Sequence, residues 1–287
     1  MLRLPQAQVR AARVLVILQA RLYRGGSGYF HWSILPRINR MNKLCFAFAI
    51  FAPELLKAQV AGECLTARPE YADVLVQATG AAGVLYSDPQ RAVNGVRGGG
   101  LYQGSTDVFS LDKTIDGTLI VAWTEGSVCD GPGADVAVFE NGFRQRISNA
   151  LFFEPVIVSV SIDGVNYEDF PHSFLGSAAL ADVVNEKNWL GFAGMSPVLY
   201  NEETNNFDAQ GIDPLDATLA GGDGFDITTL PDTPLGLEIK ASGFRYLRLV
   251  GAPAVGFPTS PIAYGGYADI DGIYAKRFVA PVSAIVP

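Results

Sequence analysis

Short segments of alternating apolar and polar residues, separated by turn residues, constrain the fold of this chain more than any other feature. In 156–162, four apolar residues fall on one face of an extended chain, and Ser159 and Ser161 fall on the other, which predicts a half-buried strand. Asp163-Gly164 follows and predicts a hairpin with a tight turn. Further strands are predicted at 118–124, 136–139, 246–250 and 270–278. Many short strands bounded by Gly, Pro and Asp indicate an all-β sandwich or jelly roll.

One long interval, 172–230, breaks this rhythm because it is rich in Asn, Asp, Gly and Pro and has few alternating runs. Within it, 178–189 predicts a short helix. A loop of this length in a compact domain is usually functional or mobile, and the alternative is a surface insertion that decorates the sandwich. We therefore expect one β-sandwich domain over 62–287 with one long loop insertion.

The charge is divided unevenly along the chain. Residues 1–40 contain seven arginines and no acidic residue, whereas 59–287 contain 12 basic and 28 acidic residues, a net charge of −16. A surface of this sign repels the phosphates of nucleic acids and of anionic lipids, so neither is an expected partner. It favours a hard cation such as Ca²⁺, which takes oxygen ligands.

Residues 41–61 have the anatomy of a secretory signal peptide. A short basic segment at 41–43 precedes a nine-residue apolar run at 44–52, and small residues follow. The run is too short to span a bilayer, and no apolar segment of 18 or more residues follows it, so no membrane span is expected. We expect translation to start at Met41, with 1–40 an upstream extension of the reading frame; the alternative is a genuine basic leader or transit peptide. The protein is therefore expected to be secreted or displayed at the cell surface.

Cysteine use is consistent with export. Cys45 would be removed with the signal peptide, which leaves Cys64 and Cys129, an even number for an oxidising compartment. These two residues could form one disulfide between the mature N-terminus and the body of the domain, or they could be buried thiols.

The most distinctive segment is the DGPGADVAVFENGF sequence at 130–143. Its DGPG portion predicts a tight turn. Asp135 then enters a buried strand, and Glu140 and Asn141 leave it. Carboxylates at both ends of a buried strand need partners because an unpaired buried charge is costly. A metal ion, an arginine or backbone N–H groups would each serve.

This segment, together with the order of four others, resembles a family of secreted bacterial cell-surface proteins with a DGPGAD…VFENG signature. The other matches are EPVIVSVSIDG at 154–164, GGDGFDI at 221–227, RYLRL at 245–249 and YADIDG at 267–272, where the usual Gly-Phe before the first Asp is replaced. The resemblance covers roughly 95–280 and implies a galactose-binding-like or discoidin-like jelly roll, extracellular or surface-bound. Many members also have a PEP-CTERM-type sorting tail, which would be expected to begin near Pro287.

Seven carboxylates in these glycine-rich motifs are candidate ligands for a structural Ca²⁺, an ion that binds six to eight oxygens. The alternative is that they form Asx turns and cap loops, as Asp beside Gly commonly does. The candidates are Asp130, Asp135, Glu140, Asp223, Asp226, Asp269 and Asp271.

Aromatic residues in Gly-, Pro- and Asn-rich stretches are candidate ligand-binding residues because they could stack on sugar rings. The alternative is that such residues close the ends of the sandwich. The candidates are Tyr200, Phe207, Phe257, Tyr264 and Tyr267.

A catalytic set is harder to assemble from this sequence. Glu140 with Glu154 or Asp135 could serve a glycosidase, and a Ser-His-Asp triad would depend on His172, which has no nucleophile elbow around it. We therefore expect a non-catalytic extracellular module that binds a glycan or a surface protein. The alternatives are a secreted carbohydrate-active enzyme or its accessory module, and a purely structural surface protein.

Overall fold

The computed structural model describes residues 63–81, 85–114, 117–259 and 267–279. The leader region 1–40, the signal segment 41–61 and Tyr264 lie outside the described residues. The described strands are β1 (Cys64–Tyr71), β2 (Val74–Ala78), β3 (Phe109–Ser110), β4 (Thr118–Ala122), β5 (Ser127–Val128), β6 (Val136–Glu140), β7 (Phe143–Arg144), β8 (Leu151–Phe152), β9 (Val156–Ser161), β10 (Glu168–Asp169), β11 (Ser173–Phe174), β12 (Trp189–Leu190), β13 (Asp223–Phe225), β14 (Tyr246–Gly251) and β15 (Asp269–Val279).

In the same part of the chain, four short α-helices accompany the strands: α1 (Leu180–Val183), α2 (Phe207–Gln210), α3 (Ala217–Ala220) and α4 (Pro234–Ser242). Single 3₁₀ turns occur at Pro89–Val93, Glu186–Asn188, Ile227–Thr229 and Ala252–Val255. None of the helices in the described ranges is long and apolar enough to cross a membrane.

The last strand of the described residues, β15, is the centre of the first sheet. It pairs antiparallel with β1 and β3 on one side and with β6 and β5 on the other, and β13 extends the sheet beyond β6. Every residue of β6 is buried, as its sequence, apolar on both faces, predicts for a central strand. This register places the end of β6 beside the start of β15, because Glu140 is paired with Ile270.

The second sheet has the order β10-β9-β14-β4-β2, and all of its pairs are antiparallel. Apolar residues of both sheets form one buried core, among them Val138 and Ile273 from the first and Val121, Val158 and Leu247 from the second. The protein is therefore an all-β sandwich, as the alternating segments predict.

The serine face of β9 differs from the prediction. Ser159 and Ser161 are fully buried, so β9 is covered on both faces and is not half-buried. Ser159 Oγ donates to Asp169 Oδ1 at 2.6 Å and accepts from Arg248 Nη2 at 3.2 Å. Polar neighbours from β10 and β14 cover this face. A period of two shows which residues share a face of the strand, but not whether that face is exposed to solvent.

The hairpin of β9 and β10 forms, but its turn is longer than the predicted two residues, and β10 has only two residues, Glu168 and Asp169. Asp163 organises the turn: its Oδ1 accepts from the backbone N–H groups of Val165 and Asn166, each at 2.8 Å. Gly164, with φ +76°, supplies the left-handed backbone that the turn requires.

Replacing Asp163 with alanine is expected to lower the melting temperature, whereas Asp163→Asn keeps an acceptor and should change it less. The same hydrogen bonds hold the pKa of Asp163 well below its usual value of 3.8. The stabilisation that the Asp163 carboxylate contributes is therefore present above its usual pKa of 3.8 and is lost as the pH falls towards the lowered pKa. Thermal unfolding of both variants and the wild type at neutral pH and at about pH 3 tests this; an Asp163→Ala difference that does not shrink at the lower pH would contradict it.

The long interval contains short ordered elements, namely β11, β12, β13, α2 and α3 as well as the helix expected at 178–189. That helix is only the four residues of α1, because Asn185 accepts from the backbone N–H of Lys187 at 3.2 Å and begins a separate 3₁₀ turn. The next residue after that turn, Trp189, is buried and donates its indole N–H to the carbonyl of Val183 at 3.0 Å. Val183, Trp189 and Phe192 also pack in a small buried core with residues of β8, β9 and their neighbours, which attaches this segment to the sandwich.

Cys64 and Cys129 form a disulfide, with their Cα atoms 6.1 Å apart. The bond joins the start of β1 to the residue that follows β5. Both strands pair with β15, so the disulfide clamps two neighbours of the central strand to each other.

Candidate functional site

The structure separates the seven candidate carboxylates into three places. Asp135 precedes β6 and Glu140 ends it, so these two residues lie at opposite ends of a central strand. The first group is Asp130, Asp135 and Asp226; the second is Glu140, Asp223 and Asp269; Asp271 stands apart.

The first group already holds a cation, the guanidinium of Arg277. Its Nη1 donates to Asp135 Oδ1 at 3.0 Å. The two carboxylate oxygens of Asp135 also accept from the backbone N–H groups of Gly131 and Ile227, both at 2.9 Å. Burial nevertheless raises the pKa of Asp135 to about 6, because the lost hydration outweighs these favourable partners. The buried acid at the start of β6 is thus neutralised from within the fold.

Asp130 and Asp226 complete this group and are partly exposed. Oxygen atoms of all three aspartates lie within 4.8 Å of one another, a spacing that would suit a metal ion. Asp226, however, caps a 3₁₀ turn by accepting from Thr228 N at 2.8 Å. A divalent ion would have to compete with the Arg277 side chain for Asp135, so this group is better explained by an ion pair and turn capping.

The second group also includes Glu154, which is not one of the seven predicted metal ligands. With Glu140, it gives this group two deeply buried glutamates. Glu140 is 1% exposed and Glu154 is 5% exposed. Glu140 Oε2 and Glu154 Oε1 have no hydrogen-bond partner among the described residues, and Glu140 Oε1 accepts only a long bond, 3.3 Å, from Asp269 N. Burial, and then the charge of Glu154, raises the pKa of Glu140 well above its usual range. Burial, and then the charge of Asp269, raises the pKa of Glu154 to about 9.

The two aspartates of the second group are better satisfied. Asp223 accepts from Met195 N and Ser196 Oγ, each at 2.8 Å, although burial still raises the pKa of its carboxyl group to about 6. Asp269 accepts from Ser110 Oγ and from the side chain of Asn141. The unsatisfied oxygens are therefore those of the glutamates.

Asp271 lies inside the first sheet and is fully buried. Its Oδ1 accepts from Arg97 N at 2.7 Å, whereas its Oδ2 has no partner among the described residues. Burial raises the pKa of Asp271 to about 7. This residue is thus a separate buried acid and does not join either carboxylate group.

The candidate aromatic residues do not form a common surface. The prediction for Tyr200 is wrong: it is 1% exposed, packs in a small core with Phe139 and Tyr274, and donates its hydroxyl to Glu202 at 2.9 Å. Its Asn-rich neighbourhood suggested a loop, but the residue itself points inward. The other described candidates, Phe207, Phe257 and Tyr267, are each partly buried.

Phe257 is partly buried and packs against a small core of buried apolar residues. Its ring contacts those of Trp189 and Phe192, with centroids 6.3 and 5.1 Å away. Tyr267 has the ammonium group of Lys113 5.0 Å from its ring centre. That face of Tyr267 is therefore already used by a cation.

An open cleft of about 470 Å³ lies between β12 and β13. We call it the β12–β13 cleft. Its lining includes buried aromatic residues, and Asp226 and Thr229 supply accessible polar groups. It is lined by Phe170, Pro171, Trp189, Leu190, Gly191, Phe192, Met195, Asp223, Gly224, Phe225, Asp226 and Thr229. The GGDGFD motif could have indicated this site, because it supplies one wall.

No protein-family model matches this chain, and no curated protein or solved structure matches it. The cleft and the carboxylate groups therefore have to be interpreted from their own chemistry.

The residues nominated for catalysis are not arranged around the cleft. Glu140 and Glu154 act on each other electrostatically, but neither lines it. Asp135 belongs to the Arg277 ion pair. His172 Nδ1 lies 2.9 Å from the carbonyl oxygen of Phe170, and its ring packs against Phe192. These positions favour structural roles for all four residues.

Proposed function

We propose that this chain is a non-catalytic extracellular β-sandwich module that binds a glycan in the β12–β13 cleft. The observation that carries this proposal is the cleft itself, whose lining combines aromatic residues with two accessible oxygen-bearing side chains, Asp226 and Thr229. The resemblance to secreted cell-surface proteins supports the location. The disulfide supports it too, because disulfides persist mainly in oxidising compartments.

The chemistry of the cleft suits a sugar. Its volume of about 470 Å³ lies within the range of small-molecule sites. A pyranose ring has an apolar face, which would lie against the exposed side chain of Leu190, and hydroxyl groups, which would donate to the Asp226 carboxylate. The acidic surface of the domain would repel sulfated or phosphorylated glycans, so the expected ligands are neutral or amino sugars.

A glycan array followed by titration calorimetry of the best ligand tests this proposal. Two exposed leucines provide a matched pair of variants: Leu190, 48% exposed in the cleft, and Leu175, 65% exposed outside it. Leu190→Trp should fill the cleft and weaken binding at least about tenfold, whereas Leu175→Trp should leave it unchanged. Equal affinities for the two variants would place the ligand elsewhere, and an array with no binding would favour a structural protein.

A glycosidase is the second candidate, because Glu140 and Glu154 form a close carboxyl pair with raised pKa values. A screen with chromogenic glycosides addresses it directly. We expect no turnover, since both groups are sealed from the cleft. Turnover by the wild type that Glu140→Gln abolishes would replace the binding proposal with an enzymatic one.

A further inference from the structure

The β12–β13 cleft is lined by two segments that the fold holds in different ways. Residues 223–229 begin with β13, which pairs with β6 of the first sheet. Residues 189–195 begin with β12, whose one partner among the described strands is the two-residue strand β11. The shape of the cleft therefore depends on what fastens the second segment to the first.

The side chain of Asp223 joins these two segments. Asp223 is the first residue of β13, and its Oδ2 accepts from the backbone N–H of Met195 at 2.8 Å. Its Oδ1 accepts from Ser196 Oγ, also at 2.8 Å. The backbone N–H groups of Gly194 and Ser196 act on the same carboxylate. Since Asp223 and Met195 both line the cleft, these bonds run from one lining segment to the other.

The backbone offers no substitute for this carboxylate. Ala193 is hydrogen-bonded to β9, and Pro197 accepts from the residue before Asp223, so the chain is fastened just before and just after 194–196. Within 194–196, no N–H group donates to a backbone acceptor of the described residues. Asp223 therefore supplies the hydrogen bonds that these three residues would otherwise lack.

The charge of Asp223 depends on its burial and on the groups around it. Burial raises the pKa of Asp223 to about 6 despite its hydrogen bonds. The acid that acts on it from β6 is Glu140, whose pKa lies well above its usual range, and burial raises the pKa of Glu154 to about 9. Asp226, in its own segment, caps a 3₁₀ turn, and 194–196 contains no charged side chain. Between about pH 5 and about pH 7.5, the carboxyl group that changes charge against 194–196 is therefore that of Asp223.

Ionisation of Asp223 lowers the stability of the fold. A carboxyl group with a raised pKa stabilises the folded state in its protonated form, and that contribution is lost as the pH rises through about 6. An uncharged residue would avoid this loss. An ionised carboxylate, however, accepts stronger hydrogen bonds from N–H groups than a neutral carboxyl group does. An acid at this position is thus explained by what its carboxylate holds, namely the lining of the cleft.

We propose that Asp223 is the positioning residue of the β12–β13 cleft, because its carboxylate holds 194–196 beside β13 and so fixes the shape of the site. The inference rests on the proposed function only where it concerns a sugar. Leu190, Asp226 and Thr229 offer the accessible surface that a sugar would contact, whereas Asp223 acts through 194–196. Without the carboxylate, the N–H groups of 194–196 lose their acceptor, the segment separates from β13, and the cleft is no longer preorganised.

Hydrogen exchange tests this role without any sugar. In Asp223→Asn at about pH 7.5, exchange at 194–196 should be at least about tenfold faster than in the wild type, because an amino group that cannot accept replaces one of the two oxygens. Asp182→Asn is the matched control: Asp182 also accepts from a backbone N–H and a hydroxyl, those of Ser177 at 2.8 and 2.6 Å, but it does not line the cleft. This control should leave exchange at 194–196 unchanged. Ser196→Ala removes one donor, should accelerate exchange less, and serves as the test if Asp223→Asn does not fold.

Titration calorimetry with N-acetylglucosamine, whose charge does not change over this pH range, then measures the effect on a sugar. Wild-type affinity should rise at least about threefold between about pH 5 and about pH 7.5, as Asp223 becomes ionised. Asp223→Asn should bind at least about fivefold more weakly than the wild type at the higher pH and show no such rise, whereas Asp182→Asn should follow the wild type. A residue with only a structural role would lower the melting temperature without removing the pH dependence.

Unchanged exchange at 194–196 in both Asp223→Asn and Ser196→Ala would overturn the proposal. A pH dependence of the affinity that persists in Asp223→Asn would also overturn it, because another group, such as His172, would then be responsible. Failure of the wild type to bind N-acetylglucosamine would count against the glycan proposal alone, and hydrogen exchange would still decide the role of Asp223.

Discussion

Replacing Arg277 with methionine is expected to lower the free energy of unfolding by about 3–5 kcal/mol, the range seen when one partner of a buried ion pair is removed. The Arg277 side chain is 9% exposed and that of Asp135 is fully buried, so solvent cannot compensate the carboxylate that is left behind. Arg277 also donates to the carbonyl of Pro132 at 2.7 Å, so the variant loses part of the support for the DGPG turn as well. Chemical denaturation monitored by circular dichroism measures the effect.

The size of this effect should depend on pH. The pKa of Asp135 is raised to about 6 in the wild type, and removing Arg277 should raise it further. A carboxyl group with a raised pKa stabilises the fold most when it is protonated, so its contribution falls as the pH rises through that pKa. The difference between Arg277→Met and the wild type should therefore be smaller near pH 5 than near pH 8. A difference that is larger at the lower pH would contradict this account.

Two further variants test whether the loss of stability comes from the unpaired carboxylate of Asp135. Arg277→Met combined with Asp135→Asn removes both charges, and it should recover part of the lost stability because no buried charge is left unpaired. Lys240→Met breaks the ion pair with Asp232, whose side chain is 79% exposed, and should change stability by less than about 1 kcal/mol. A comparable loss in Lys240→Met would indicate a general effect of charge.

Removing the disulfide between Cys64 and Cys129 is expected to cost about 4 kcal/mol by the loop-entropy relation, since it closes a loop with a sequence separation of 65. The strand most affected should be β1, which forms an edge of the first sheet and has five exposed residues at its start. Without the crosslink, this strand can separate from β15 while the rest of the sandwich persists.

Denaturant unfolding of the oxidised protein and of the Cys64→Ser, Cys129→Ser double variant measures the loss. Hydrogen exchange then locates it: exchange should accelerate in β1 and stay slow in β14, the central strand of the second sheet. Equal unfolding midpoints for the two proteins would contradict the prediction. Equal acceleration in β14 would show that the loss is global.

The sequence predicts the strands well because alternation and turn residues are local signals. Strands β4, β6, β9, β14 and β15 lie where the pattern places them. The pattern does not reveal whether a second face is covered. The burial of Ser159 depends on Asp169 and on Arg248, which is 89 positions away in the chain.

The site is harder to predict because it depends on strand register. The sequence identifies Asp135 and Glu140 as buried acids that need partners, but it does not distinguish their fates. Arg277, the partner of Asp135, lies 142 positions away, and no local signal connects them. In the sequence, Glu154 is a candidate only for a catalytic acid. Its position beside Glu140 depends on how the connection between β8 and β9 packs against the first sheet, which no local pattern predicts. The cleft likewise joins three stretches of the chain, at 170–171, 189–195 and 223–229.

The position of β15 has a consequence for how the protein is made. Four strands of the first sheet, β1, β3, β5 and β6, use β15 as a hydrogen-bonding partner, although β1 is synthesised roughly 200 residues earlier. The sheet therefore cannot assemble on a growing chain until its C-terminal strand has left the ribosome. Until then β1, β3, β5 and β6 lack their common partner and keep unpaired strand edges, so the first sheet is exposed to aggregation while the chain is being synthesised.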